Sequence, residues 1–210
     1  MKRWVIGVSG ASGTVYARQL MKVLLENDPE VHLEVVFSEA ALRVMREEEN
    51  IKTSINNVNL KEIVGFETDK ITFHNNRDIG ASIASGSIKT EGMVIAPCSM
   101  GTLGSVANGM AHNLMHRAAD VTLKEGRKLI IVPRETPLSA IHLENMLKLS
   151  KIGVSIVPAM PGFYHQPESI SDLVDMMVMK ITDMMGYDFQ SDNRWKSSNW
   201  PIREVKNLNT

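Results

Sequence analysis

The stretch Arg3-Trp4-Val5-Ile6-Gly7-Val8-Ser9-Gly10-Ala11-Ser12-Gly13 decides the fold. Residues 3–9 are a short apolar run without polar alternation, the pattern of a strand buried on both faces. The run ends in a turn of glycines and serine. Residues 13–26 then place Val15, Leu20, Val23 and Leu24 at helical spacing. A buried strand, a glycine turn and an amphipathic helix are the first βα unit of an α/β domain. The same order repeats outward. Residues 31–37, 92–96, 128–132 and 153–157 read as strands, and 39–49, 100–107, 139–151 and 169–185 as helices. Near-continuous apolar strands separated by helices predict a parallel sheet covered on both faces, with right-handed crossovers. Residues 50–90 are Asn-rich, hold a short strand at 70–74 and read as a crossover within the same domain. A single domain is predicted over 1–186. Residues 187–210 lose periodicity and read as an arm carrying Trp195, Trp200 and Pro201.

Composition removes several classes of function. Against 23 Lys+Arg stand 24 Asp+Glu, a net charge of −1, so there is no basic footprint for nucleic acid. No apolar run approaches the roughly 18 residues of a membrane span, and the apolar stretch after Met1 is too short for a signal peptide. One Cys in 210 residues excludes an intramolecular disulfide and a cysteine-rich zinc site. A cytoplasmic protein is expected.

The strand ends carry the chemistry. Strand one delivers Ser9, Gly10, Ala11, Ser12 and Gly13, and strand two delivers Ser38. The strand at 92–96 delivers Cys98, Ser99, Met100, Gly101 and Thr102. The strand at 128–132 delivers Arg134 and Glu135, and the strand at 153–157 delivers residues 158–164, with Tyr164. In an open α/β sheet these carboxyl ends form the ligand crevice. Two loops suit a phosphate, because residues 10–13 and 99–102 each open a helix with free N–H groups and the positive dipole end. The first is not a G-x-G-x-x-G fingerprint, so a mononucleotide fits better than a dinucleotide.

Eight motifs then occur in order: GVSGASG, ASGS (84–87), APCSMGTL (96–103), RAADVTLKEGRKL (117–129), PRETPL (133–138), IHLENML (141–147), PGFYHQP (161–167) and RW (194–195). Over essentially the whole chain this resembles the flavin prenyltransferases, the UbiX family. The resemblance implies a Rossmann-like, flavodoxin-like fold and a homododecamer. It implies joining of a dimethylallyl group from dimethylallyl phosphate to reduced FMN without a metal, and delivery of the prenylated FMN to a UbiD-type decarboxylase. It places FMN on Gly10, Ala11, Ser12, Ser38, Ser99, Met100, Gly101, Thr102 and Arg134. Ser12 would lie near the reacting flavin nitrogen. Lys124, Tyr164, Lys180 and Trp195 would meet the prenyl phosphate or prenyl chain. Ser12, Glu48, Lys124, Glu135 and Tyr164 would form the catalytic set, with Glu48 ambiguous by one residue inside Glu47-Glu48-Glu49. One position departs: Lys180 stands where the family offers Arg, keeping the charge but losing the planar fork.

The chemistry explains the residue types. An allylic phosphate that ionises leaves a carbocation and a more highly charged phosphate, which fixed cations stabilise. Lys124, Lys180 and Arg134 are the candidates, with Tyr164 as a neutral donor. Glu135 or the released phosphate is a candidate base for ring closure. Each residue also has a plainer reading. Lys124 sits in the charged run Lys124, Glu125, Arg127, Lys128, and Glu47–Glu49 is a charged helix end. Arg134–Glu135 reads as a strand-end charge pair, Tyr164 as turn packing, and Trp195 as a tail anchor. His112 and His116, four apart, would share a helix face as metal ligands do, but they lack a third ligand. Cys98 lacks a base partner for nucleophilic attack. Residues 173–185 are apolar on more than one helix face, which predicts burial against another subunit. A flavin-dependent cysteine decarboxylase is opposed by PCSMGT in place of that group's PASANT. A non-catalytic FMN carrier would not require Glu135, Lys124 and Tyr164.

Overall fold

The computed structural model describes residues 1–55 and 57–189. Six strands form one parallel sheet: β1 (Lys2–Val8), β2 (Val31–Phe37), β3 (Ile71–Asn75), β4 (Gly92–Cys98), β5 (Lys128–Pro133) and β6 (Ser155–Ile156). Their order across the sheet is β3-β2-β1-β4-β5-β6. The order reverses between β1 and β4, and this is the switch point where α/β sheets open a crevice. Seven helices cover the two faces: α1 (Thr14–Asn27), α2 (Glu39–Glu49), α3 (Leu60–Val64), α4 (Met100–Ala107), α5 (Leu114–Lys124), α6 (Ala140–Lys151) and α7 (Ile170–Met185).

Alternation along each strand divides the core. Ile6, Val8, Leu33, Val35 and Val94 turn toward α1, α2 and α7, where Leu20, Leu24, Met45 and Ile181 meet them. Val5, Val36, Met93 and Ile95 turn toward α4 and α5, where Leu103, Leu114 and Ala118 meet them. Each fully buried Leu or Ile side chain contributes about 1.5–3 kcal/mol. Serines or asparagines start most helices. Ser38, Ser99, Asn113, Ser139 and Ser169 each accept a hydrogen bond from the helix they precede, which satisfies one of the orphan N–H groups.

Three expectations change. The last strand shrinks from 153–157 to two residues, because Gly153 turns at φ 89° and Pro158 has no N–H for the ladder. Val157 and Ala159 still donate to Ile131 (2.8 Å) and Pro133 (3.0 Å). His112 does not share a helix face with His116, since α5 is capped by Asn113 and begins only at Leu114. The apolar faces of α7 are largely covered by the chain itself: Val174, Val178, Ile181 and Met185 join the core beside α1. Exposed apolar residues cluster on and beside α6, at Ile141, Leu143, Leu147 and Ile152, while α7 itself exposes Ile170 and Met184. At the far end, α7 stops at Gly186 in the left-handed region, φ 97°. Tyr187 and Phe189 then stack at 4.8 Å, and the Lys2 ammonium lies 5.2 Å from the Tyr187 ring centre. Among the described residues no helix is long and apolar enough to cross a membrane.

Candidate active site

The switch point is stitched by one buried hydroxyl. Ser9 donates to the Pro97 carbonyl (3.0 Å) and accepts from the Ser99 N–H (2.7 Å). Its own N–H donates to Pro97 O at 3.2 Å. The loops after β1 and β4 are thereby held as one surface. The Ser38 N–H donates to Val8 O (3.0 Å), and the Arg134 N–H donates to Cys98 O (3.1 Å). The carboxyl ends of β2, β1, β4 and β5 are therefore tied in succession. Gly10, Ala11, Ser12, Gly13, Ser38, Ser99, Met100, Gly101, Thr102, Arg134 and Glu135 all lie along this edge.

Two glycines shape the floor. A Cβ on Gly10 would lie 2.3 Å from the Ala40 Cβ, so only glycine lets the first turn of α2 approach the β1 loop. Gly101, in the first turn of α4, faces open space, with nothing within 4 Å of a Cβ built there. A flat or anionic ligand can approach that helix start closely. The Ser99 hydroxyl donates to the Thr102 hydroxyl (3.2 Å) and caps the helix by accepting from the Thr102 N–H (3.4 Å).

The start of α1 differs from expectation. The Glu48 carboxylate accepts from the Gly13 N–H at 2.9 Å. Glu49 accepts from the Thr14 hydroxyl at 2.6 Å and pairs with Arg18. The positive end of α1 already holds the protein's own carboxylates, so an incoming phosphate is better served by α4. Within the run, Glu48 touches the glycine loop, and Glu49 braces α1. Glu47 pairs outward with Arg43 at 2.8 Å.

Arg134 leaves β5 and reaches back toward α1. Half-burial pushes the Tyr16 phenol up, and the nearby Arg134 guanidinium opposes that rise. Tyr16 packs its ring against Gly13 and is a site neighbour that periodicity gave no reason to select. Glu135 is half-buried and accepts from the Thr136 N–H at 2.9 Å. Tyr164 lies in the loop after β6, over Gly162, with His165 edge-on at 5.7 Å. Cys98 is fully buried, and burial drives its thiol far above the ordinary range, which makes it a packing residue.

Two sequence candidates stand apart. Lys124 ends α5 just before the amino end of β5, on the order of 20 Å from the carboxyl edge. There it pairs with Glu125 (2.5 Å), under Gly86, where an added Cβ would lie 3.1 Å from the Lys124 Nζ. Arg117 and Arg127 clamp this loop by donating to Ala84 O (3.2 Å), Gly86 O (2.7 Å) and Ile88 O (2.7 Å). Both arginines belong to the motif RAADVTLKEGRKL (117–129), although neither is among the expected site residues. Lys180 lies ten residues into α7, about 15 Å along its axis, and is exposed. Trp195 lies outside the described residues. Burial, and then the neighbouring His112, push the imidazole of His116 below its ordinary pKa; His116 is 9% exposed and its ring lies 6.5 Å from that of His112. Among the described residues no group of three His, Cys, Asp or Glu side chains could hold a metal.

Comparison with known proteins agrees with this fold. A model of the Flavoprotein family matches residues 1–182. The chain is 47% identical over 192 residues to the flavin prenyltransferase UbiX of Halalkalibacterium halodurans, covering 91% of this chain and 92% of that one. It superposes on a dodecameric FMN-dependent UbiX-like decarboxylase from Escherichia coli O157:H7 with a TM-score of 0.83 and 41% identity, covering 92% and 99% of the two chains. It superposes on AnUbiX (PadA1), in complex with FMN and dimethylallyl pyrophosphate, with a TM-score of 0.81 and 35% identity, covering 93% and 99%.

Proposed function

Because the chain belongs to the UbiX family of flavin prenyltransferases, we propose that it joins a dimethylallyl group from dimethylallyl phosphate to reduced FMN. The product, prenylated FMN, goes to a decarboxylase of the UbiD type. The observation that carries this reading is the carboxyl edge itself, where an open helix start at Gly101 faces a loop that presents Arg134 and Glu135. The FMN phosphate belongs at the α4 start, where N–H groups and Arg134 meet it and Gly101 admits it. FMN is the acceptor and supplies the nucleophilic ring atoms. Ser12 orients the flavin beside Gly13, and Glu48 fixes that loop. Arg134 and Tyr164 take charge that develops on the departing phosphate. Glu135 receives the proton lost on ring closure.

Lys124 and Lys180 support this chemistry only from another copy of the chain. Neither lies at the edge of its own protomer, and the UbiX-like relative is a dodecamer. The exposed Ile141, Leu143, Leu147 and Ile152 supply apolar surface for such an assembly. Trp195 would complete the prenyl pocket.

The test is incubation of the protein with reduced FMN and dimethylallyl phosphate, followed by mass spectrometry of the flavin. A five-carbon adduct is expected. Absence of adduct with both the monophosphate and the diphosphate rules the reading out. Lys124→Ala and Glu135→Gln should each be slow alone, and a mixed oligomer of the two should regain part of the rate. No regain would place Lys124 and Glu135 in one protomer's site.

A further inference from the structure

A second cavity, of about 380 Å³, opens at the carboxyl ends of β2 and β3, on the side of Ser38 away from the switch point. That volume is within the range of small-molecule pockets. Its polar lining is Asn75, Asn76 and Asn113, with Arg77, His112 and Glu39. The three carboxamides are already oriented. Asn75 Oδ1 accepts from the Arg77 N–H (3.0 Å), Asn76 Oδ1 from the Met115 N–H (2.9 Å), and Asn113 Oδ1 from the His116 N–H (2.9 Å). An amide whose oxygen is fixed has its –NH2 fixed as well. The amide groups of Asn75 and Asn76, and the second N–H of Asn113 beside its contact with His116 Nε2, therefore remain for the cavity, beside the guanidinium of Arg77. The one carboxylate of the lining, Glu39, is engaged by Arg77.

Behind this lining lies an unexplained polar group. His116 is 9% exposed, and its Nδ1 is buried without a hydrogen-bond partner. Its Nε2 lies 3.5 Å from Asn113 Nδ2. A buried imidazole nitrogen without a partner is costly unless something completes it. The lining is rich in donors and poor in acceptors, which is complementary to an acceptor-only group.

We propose that this cavity is a second small-molecule site, distinct from the flavin crevice, that binds an oxyanion group, phosphate or carboxylate. The anion accepts from the amides of Asn75, Asn76 and Asn113 and competes with Glu39 for Arg77. Glu39 is the first residue of α2, and Glu48 near its other end holds the Gly13 N–H. One helix thus spans the two sites.

Calorimetric titration of the full-length, FMN-saturated protein tests this, with inorganic phosphate, pyrophosphate and succinate as separate probes. Saturable binding of at least one is expected, and the preferred probe identifies phosphate or carboxylate as the group taken. Asn113→Asp keeps the helix cap but turns a donor into a negative charge. It should weaken the bound probe tenfold or more while circular dichroism stays parental. Arg77→Ala should weaken it as well, and Lys124→Ala should leave it unchanged. No saturable binding by any probe overturns the proposal. So does an affinity that is indifferent to both Asn113→Asp and Arg77→Ala, or one that is lost in Lys124→Ala.

Discussion

Replacing Gly10 by Ala tests whether α2 must dock on the β1 loop. The new Cβ would lie 2.3 Å from the Ala40 Cβ and 3.3 Å from the Ala40 carbonyl carbon. Carbon atoms rest at about 3.5–4.0 Å, so the gap is short by about 1.2–1.7 Å. The opposing atoms belong to the first turn of a helix and not to a flexible side-chain tip, so backbone has to move. A shift of that size breaks the two 3.0 Å bonds at Ser38, one from its N–H to Val8 O and one from the Ala41 N–H to its hydroxyl. Overpacking costs about 1–3 kcal/mol and loss of the cap about 1 kcal/mol, together about 2–4 kcal/mol. At about 2–4 °C per kcal/mol for a chain of this size, the melting temperature should fall by about 4–16 °C. Differential scanning calorimetry of the flavin-free protein reads this directly. Gly101→Ala is the control, because it meets nothing within 4 Å. It should stabilise the flavin-free protein by about 0.5–1 kcal/mol yet weaken FMN measured by fluorescence quenching. A parental melting temperature for Gly10→Ala would refute the docking argument. A parental FMN affinity for Gly101→Ala would refute the open helix start as a flavin contact.

Acid stability should follow Glu34. Burial would raise its carboxyl, but the hydrogen bond from His74 and the charges of His74, Arg3 and His32 outweigh that and hold it below the usual 4.5. A depressed folded value means that the stabilisation is full above pH 4.5 and is lost as pH falls through the depressed value. Urea unfolding should show Glu34→Gln weaker than the parent by about 1–3 kcal/mol at pH 7, with the gap closing below pH 4.5. A gap that widens with acid would reverse the sign of the argument. Cys98, buried and with its thiol pushed far up, should resist iodoacetamide in the native protein at pH 8 and react once unfolded. Native labelling at the unfolded rate would place it at an accessible surface.

The strand pattern was legible because parallel strands buried on both faces are nearly pure apolar runs. Residues 31–37 and helices 39–49 and 100–107 coincide with the observed elements. The loops that form the carboxyl edge were legible for the same reason, since parallel topology sends every strand end to one side. What stayed hidden was tertiary. The five residues of α3 are too few to show a period. Glu48 and Glu49 look like any charged helix end until α2 folds back on α1. The distance of Lys124 from Tyr164 follows from the direction of α5, which spacing along the chain does not encode. Residues 173–185 were read as a subunit contact because their apolar faces exceed a single stripe, yet α1 and the sheet cover much of that surface within the chain.

The buried hydroxyl of Ser9 couples the two loops at the switch point mechanically. With the two hydrogen bonds of the hydroxyl and the Ser9 N–H bond to Pro97 O intact, neither the β1 loop nor the β4 loop can open alone, so their amide protons should exchange with solvent as one unit. A ligand that lands there finds its donors already ordered and loses little chain entropy on binding. Ser9 lies buried beneath the surface, yet a methyl group in its place would leave only the Ser9 N–H bond to Pro97 O between the two loops, and the loss would appear first in the entropy of flavin binding.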